Sequence, residues 1–330
     1  MRNFLIVALL CVLSVFSCKP KTSSEELDVY EKLSVLDAKI KKNDKAASLY
    51  YARAGVYLEL DRLNDALIDA NRAILYDSKN ADYYTFLSDL QFRNADMKSA
   101  YESIQKSIEL KPKNAGAYLK LAEISLYGRD YERALESIDK SLEFDKLAPT
   151  AYFMRGYVYK EQGDTFAAVE SYKKAIEYDS EYERAYEELG LLHALRNNPV
   201  TVEYLSTAIR LNPNNVFAMY GLGLYYQDNG NIEQAREIYE NILAIKPEHT
   251  DALNNLGFIC FQYEENYEKA IEWFSRALTI EPDFEEALQN RAAAYEIIGR
   301  KDLALDDYEV LQMIDPASEE LEKKINALSK

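Results

Sequence analysis

An all-α solenoid of about eight helix–turn–helix units is the fold class this sequence predicts, and a few residue series at one period predict it. Tyr50, Tyr84, Tyr118, Tyr152 and Tyr186 follow one another at steps of 34 residues, and Met219, Leu253 and Leu288 continue the register at steps of 33, 34 and 35. Ala66, Ala100, Ala134, Ala168, Thr201, Ala235, Ala270 and Ala304 repeat the period about sixteen residues downstream. Between them runs a series of small residues: Ala54, Ser88, Ala122, Gly156, Gly190, Gly223, Gly257 and Ala292. Pro112, Pro213, Pro247, Pro282 and Pro316 recur near the ends of units. Self-similarity at such a period marks a stack in which each unit buries its apolar face against its neighbours.

The N-terminus stands apart. Arg2 and the free amine make a positive segment, and Phe4 to Phe16 is an uncharged, almost wholly apolar run. As a helix this run spans roughly 20 Å, short of the roughly 30 Å hydrocarbon core, so it reads as a secretory signal and not as a stable span. It ends in Val15-Phe16-Ser17-Cys18, which resembles a bacterial lipobox. That resemblance implies a lipoprotein signal peptide over 1–17 and acylation of Cys18 as the new N-terminus. The alternative is an ordinary cleaved signal with an incidental cysteine. Acyl chains would hold the protein on a membrane, each buried methylene contributing about 0.8 kcal/mol. By the same resemblance, Lys19 in place of Asp after the cysteine favours the outer membrane, with the protein facing the periplasm of a bacterial envelope.

A short tether is expected over 18–24, then an amphipathic capping helix within 25–46 whose Leu27, Tyr30, Leu33, Val35 and Ile40 pack on the first unit. The units are read as 47–80, 81–114, 115–148, 149–182, 183–215, 216–249, 250–284 and 285–318. In 216–249, Leu222, Leu224, Tyr225 and Tyr226 belong to a first helix, and Ala235, Ile238, Tyr239, Ile242 and Leu243 to a second, at the spacing of an amphipathic helix. Asp228-Asn229-Gly230-Asn231 supplies turn chemistry between them, and Pro247 ends the second helix because it lacks an N–H. The fifth unit is one residue short near Asn197-Asn198-Pro199 and the seventh one long near Glu264-Glu265-Asn266, both changes expected in the turn. Residues 319–330 form a closing helix that turns Leu321, Ile325 and Leu328 inward, since the end face of a stack would otherwise expose core.

The order small–aromatic–Ala–aromatic–small–Pro at fixed offsets resembles the tetratricopeptide repeat over 47–318. The resemblance implies a right-handed superhelix whose first helices line a concave groove for an extended peptide or a partner helix. Transferred to this register, the groove residues are Tyr51, Phe86, Phe92, Leu119, Leu126, Tyr127, Phe153 and Tyr157 in the N-terminal half. In the C-terminal half they are Phe217, Tyr220, Leu224, Asn254, Asn255, Phe258, Phe261, Gln289 and Asn290. Exposed aromatic strips and aromatic hot spots suit binding, whereas rings packed between helices would be structural. Asn255 and Asn290 occupy equivalent positions and resemble two rungs of the asparagine ladder that holds peptide backbone in the repeat domain of O-linked N-acetylglucosamine transferase; an amide both donates to and accepts from a peptide unit. The carboxylate clamp of chaperone-tail-binding relatives is not reproduced by Arg93, Lys120, Lys160 and Arg184.

Composition limits the function classes. The formal net charge is −17, and loss of residues 1–17 removes Arg2 and no acid, giving −18, a surface that repels nucleic acid. With Cys11 leaving in the signal and Cys18 acylated, Cys260 has no disulfide partner and reads as a small core residue. His193 and His249 sit at different unit positions, and no phosphate-cradling loop or metal-ligand spacing occurs. The expectation is therefore a membrane-tethered scaffold that binds a protein or peptide and serves an envelope complex of secretion, motility or wall synthesis. It is not expected to be an enzyme, and no cofactor, metal, nucleic acid or small-molecule substrate is expected. An adaptor that positions an envelope hydrolase or protease through its convex face is the alternative.

Overall fold

The computed structural model describes residues 23–329, which are all-helical. The expected signal peptide and Cys18 lie outside the described residues. Helix α1 (Ser23–Lys42) is followed by eight pairs: α2 (Ala47–Glu59) with α3 (Leu63–Tyr76), α4 (Ala81–Arg93) with α5 (Met97–Leu110), α6 (Ala115–Tyr127) with α7 (Tyr131–Phe144), and α8 (Pro149–Glu161) with α9 (Thr165–Tyr178). Then come α10 (Glu183–Ala194) with α11 (Val200–Leu211), α12 (Val216–Asp228) with α13 (Ile232–Ile245), α14 (Thr250–Gln262) with α15 (Tyr267–Ile280), and α16 (Glu285–Ile297) with α17 (Lys301–Ile314). Helix α18 (Glu319–Leu328) closes the chain. The helices group into two compact units that divide at Asp179/Ser180, so α1–α9 make unit 1 and α10–α18 make unit 2.

Within each unit the pairs stack as an α-solenoid. Each second helix packs on the next first helix, and first helices of neighbouring pairs also touch: α4 with α6 and α6 with α8 in unit 1, α10 with α12 and α14 with α16 in unit 2. The first helices thus share one face of each stack.

The residue series have physical causes. The hydroxyls of Tyr50, Tyr118 and Tyr152 donate to the carbonyls of Asp44, Pro112 and Lys146, each six residues earlier in the preceding turn, at 2.8, 3.3 and 3.1 Å. Their rings pack on Tyr76, Phe144 and Tyr178 at the ends of the second helices, with centroids 5.5, 5.8 and 5.2 Å apart. The 34-residue tyrosine therefore ties a turn to both helices of its pair.

The small series makes room for a large residue on the second helix. A Cβ built at Gly156 would stand 2.7 Å from the Tyr172 ring, at Gly223 2.6 Å from Tyr239, and at Gly257 2.5 Å from Phe274. Those three rings are fully buried.

Each turn within a pair is closed by a left-handed residue followed by a residue whose N–H reaches back to the first helix, a Schellman-type ending. Arg129 (φ 55°) precedes Asp130, which donates to Ser125 O at 2.9 Å, and Gly230 (φ 73°) precedes Asn231, which donates to Tyr226 O at 2.8 Å. In the seventh pair Asn266 N–H reaches Cys260 O, one residue further back, so the insertion is absorbed by the turn. The fifth pair differs from expectation. Asn198 keeps the usual reach to His193 O, and the turn is not shortened: residues 195–199 separate the two helices, each of which has 12 residues. Proline at 199 sets the later start of α11.

Helix α1 begins at Ser23, inside the stretch expected as tether. Its inward stripe is Val29, Leu33, Leu36 and Ile40, a 3.6-residue register. Tyr30 and Val35, expected on that stripe, fall off it and are exposed. At the other end Leu321, Ile325 and Leu328 pack against the cluster of Tyr308 and Leu311.

Candidate binding surface

In unit 1 the first helices present a string of rings. Tyr51 is partly exposed and lies 5.0 Å from Tyr83 and 5.1 Å edge-on from Phe86. Further on, Phe92 meets Tyr127 edge-on at 5.6 Å, and Lys120 Nζ sits 5.4 Å from the Phe92 centroid. Beneath them lies a compact ion cluster. Lys120 Nζ reaches Asp89 Oδ1 at 2.5 Å and also the Glu123 carboxylate, while Arg93 Nε donates to Asp89 Oδ2 at 2.8 Å. Burial pushes the Asp89 carboxyl up, but Lys120 and Arg93 outweigh it and hold it below the usual range; for Glu123 burial wins over Lys120. The cations of this surface are thus neutralised from within.

Phe153 and Tyr157 correct the expectation of an open groove strip. Phe153 is 2% exposed and packs on Tyr172 at 5.4 Å, and Tyr157 is 8% exposed within the core of α6 to α8. Leu126 is buried in the same core. An apolar residue on a first helix packs inward wherever the adjacent helix approaches closely, and here the small Gly156 lets α9 do so.

On the first helices of unit 2 the described residues form an open concavity. It has a volume of about 290 Å³ and is lined by Gln227 of α12, Asn254, Asn255 and Phe258 of α14, and Glu286, Gln289 and Asn290 of α16. The sequence-predicted Asn255, Phe258 and Asn290 are brought together there, and Tyr220 adjoins them. Asn254 and Asn255 are only 4% and 8% exposed. Asn290 Nδ2 donates to Asn254 Oδ1 at 3.3 Å, and Asn255 Nδ2 donates to the Tyr220 hydroxyl at 3.4 Å. The Asn254 amide nitrogen and the Asn255 amide oxygen take part in neither of these two bonds. Tyr239, fully buried, donates to Gln227 Oε1 at 3.1 Å and positions that amide. Burial, helped by the Asp251 carboxylate, raises the Tyr220 hydroxyl well above its ordinary range and keeps it a donor.

Sequence reasoning missed Gln227 and Glu286. Gln227 lies at the same unit position as Glu296, which accepts from Tyr308 as Gln227 accepts from Tyr239, so the second-helix tyrosine was the signal. It also missed the role of His249, whose Nδ1 accepts the Ala252 N–H at 3.2 Å as the N-cap of α14. Asn80, Asn114 and Asn215 cap α4, α6 and α12 from the equivalent position.

Cys260 is fully buried. Among the described residues no cluster of His, Cys, Asp or Glu has metal-binding geometry, and no helix is long and apolar enough to cross a membrane.

Comparison with known proteins bears on this architecture. Family models described as "Tetratricopeptide repeat" match residues 215–283 and 81–114, and one described as "TPR repeat" matches residues 156–195. No protein of curated function matches significantly. Among solved structures, YrrB, described as a TPR protein with an unusual peptide-binding site, is 31% identical; the match covers 57% of this chain and 97% of YrrB, with a TM-score of 0.51. The C-terminal part of a TPR repeat-containing protein from Cytophaga hutchinsonii is 18% identical over 72% of this chain and 98% of its own, with a TM-score of 0.61. The APC/C hetero-tetramer Cut9–Hcn1 matches at 17% identity over 94% of this chain and 60% of its own, with a TM-score of 0.54. Those last two likenesses concern the fold alone. With its repeats, its helix pairs and its match along nearly the whole of YrrB, the chain belongs to the tetratricopeptide repeat family.

Proposed function

We propose that this protein is a scaffold that holds an extended peptide segment of a partner protein in the amide-lined groove of unit 2, and that acylated Cys18 tethers it to a bacterial outer membrane on the periplasmic side. The observation that carries the reading is the pair of buried asparagines, Asn254 and Asn255, that line the concavity together with Gln227, Gln289 and Asn290. A side-chain amide both donates and accepts, so a row of amides matches the N–H and C=O groups of a peptide backbone. Phe258 adds apolar surface beside these amides. The peptide-binding site named for YrrB supports the same reading. The lipobox-like Val15–Cys18 supports the tether, and attachment to an envelope complex follows from it.

Displayed random dodecapeptides selected on the full chain test the groove. Peptides should enrich, and Asn254→Ala with Asn290→Ala should weaken them about tenfold or more while helix content stays unchanged. Absence of enrichment, or binding that survives both substitutions, would contradict the groove. Cys18→Ser should move the protein from the membrane to the soluble fraction; continued membrane association would contradict the tether.

A further inference from the structure

We infer that the cavity of unit 2 selects a basic side chain, Lys or Arg, of the bound peptide. This rests on the peptide-groove reading and gives its ligand a chemistry. The three first helices that line the cavity carry Asp228, Asp251, Glu285, Glu286 and Glu296. Their one cation, Arg291, is spent: it forms two bonds to Asp307, at 2.9 and 2.6 Å, and one to Ser275 Oγ at 3.0 Å. Glu296 is likewise taken, accepting from Tyr308 at 2.5 Å. Glu286 lines the cavity, is exposed, and forms no ion pair among the described residues.

The remaining lining suits a cation on an apolar stem. Phe258 brings an aromatic ring to the lining beside which the methylenes of such a side chain can pack, and the Asn255 and Gln289 amides bring carbonyl oxygens as acceptors. No lysine or arginine lines the cavity to repel such a ligand. An acidic side chain would meet Glu286 with no lysine or arginine in the lining to offset it. The first helices of unit 1 give the contrast. Helices α4, α6 and α8 carry Asp82, Asp89, Glu123 and Glu161 against Arg93, Lys120, Arg155 and Lys160, an even balance with no such preference.

The test selects displayed random dodecapeptides on the full chain and, in parallel, on the Glu286→Lys chain. The inference predicts that peptides enriched on the unchanged protein share Lys or Arg at one position. Replacing that residue by norleucine in the synthetic peptide should weaken binding about tenfold, and the loss should shrink as salt rises. On Glu286→Lys the shared residue should become Asp or Glu, or the basic preference should vanish. Enriched peptides with no basic position, or an unaltered basic preference on Glu286→Lys, would overturn the inference and leave the groove reading standing. Failure of any peptide to enrich would overturn both.

Discussion

The two units are built from one repeat yet spend their first-helix residues differently. Unit 1 uses aromatic rings and cations there, and then closes them on themselves: Phe92 on Tyr127, Lys120 and Arg93 on Asp89, Phe153 on Tyr172. Unit 2 puts amides at the corresponding face and leaves a cavity between α12, α14 and α16. Rings and ions satisfy one another within a stack, whereas adjacent amides satisfy only part of their four hydrogen-bonding positions. The difference teaches that aromatic content alone does not mark a groove; a concavity lined by side-chain amides is the stronger mark.

The largest test of this contrast uses the buried ion pairs that both units share. Arg53 grips Asp69 through two bonds, at 2.6 and 2.9 Å, and also reaches Asp37 at 2.7 Å; Arg291 grips Asp307 in the same way but its other partner is the neutral Ser275. Removing Asp307 leaves a half-buried cation with a hydroxyl, while removing Asp69 leaves one with a carboxylate. Asp307→Ala should therefore destabilise unit 2 by about 3 kcal/mol, and Asp69→Ala should cost unit 1 less. Urea unfolding followed by hydrogen exchange in each unit measures both, and equal costs would break the comparison.

A smaller effect belongs to unit 2. Asn215, the N-cap of α12, donates to Glu187 Oε2 at 2.5 Å and also to the Glu183 carboxylate. Burial, only partly offset by the Asn215 bond, raises the Glu187 carboxyl to about 7, and Glu188 and Glu183 push the same way. A carboxyl raised in the folded state binds protons that the unfolded chain has released, so its contribution is complete below about 4.5 and is lost as pH rises through about 7. Glu187→Gln should stabilise unit 2 by on the order of 2 kcal/mol at pH 8 and by little at pH 4. A pH-independent effect in chemical melts would contradict this assignment.

The smallest concerns His249. Its neutral Nδ1 must accept the Ala252 N–H, and burial followed by Lys246 lowers its pKa. The folded state therefore disfavours the imidazolium, and stability present above about 6.5 is lost as pH falls below it. His249→Asn, the cap used in three other pairs, should flatten that acid-side slope by under about 1 kcal/mol. An unchanged slope would mean the histidine cap does not set it.

The period and the pairing of helices were legible in the residues because Tyr, small residues and Ala each do one geometric task per repeat. Tyr152 must reach Lys146 O and Gly156 must admit Tyr172, so neither position tolerates much else. The side of a first helix that faces a ligand was less legible. Helices such as α8 and α12 are apolar nearly all round, so periodicity does not separate Phe153, which is core, from Phe217, which is exposed. The asparagines were legible as equivalent positions, but their burial and shared cavity depend on how closely α14 and α16 approach, which no spacing along the chain reports. The register of α1 was misjudged for a related reason: several apolar residues compete for its stripe, and only packing on α2 chooses Val29 over Tyr30.

The central claim is that unit 2, and not unit 1, holds the peptide. Hydrogen exchange of the full chain, with and without a saturating selected dodecapeptide, tests it most directly. Protection should rise in α12, α14 and α16 and leave α4, α6 and α8 unchanged. Protection confined to α4, α6 and α8, around Phe92 and Tyr127, would place the ligand on the aromatic surface of unit 1 and contradict the account.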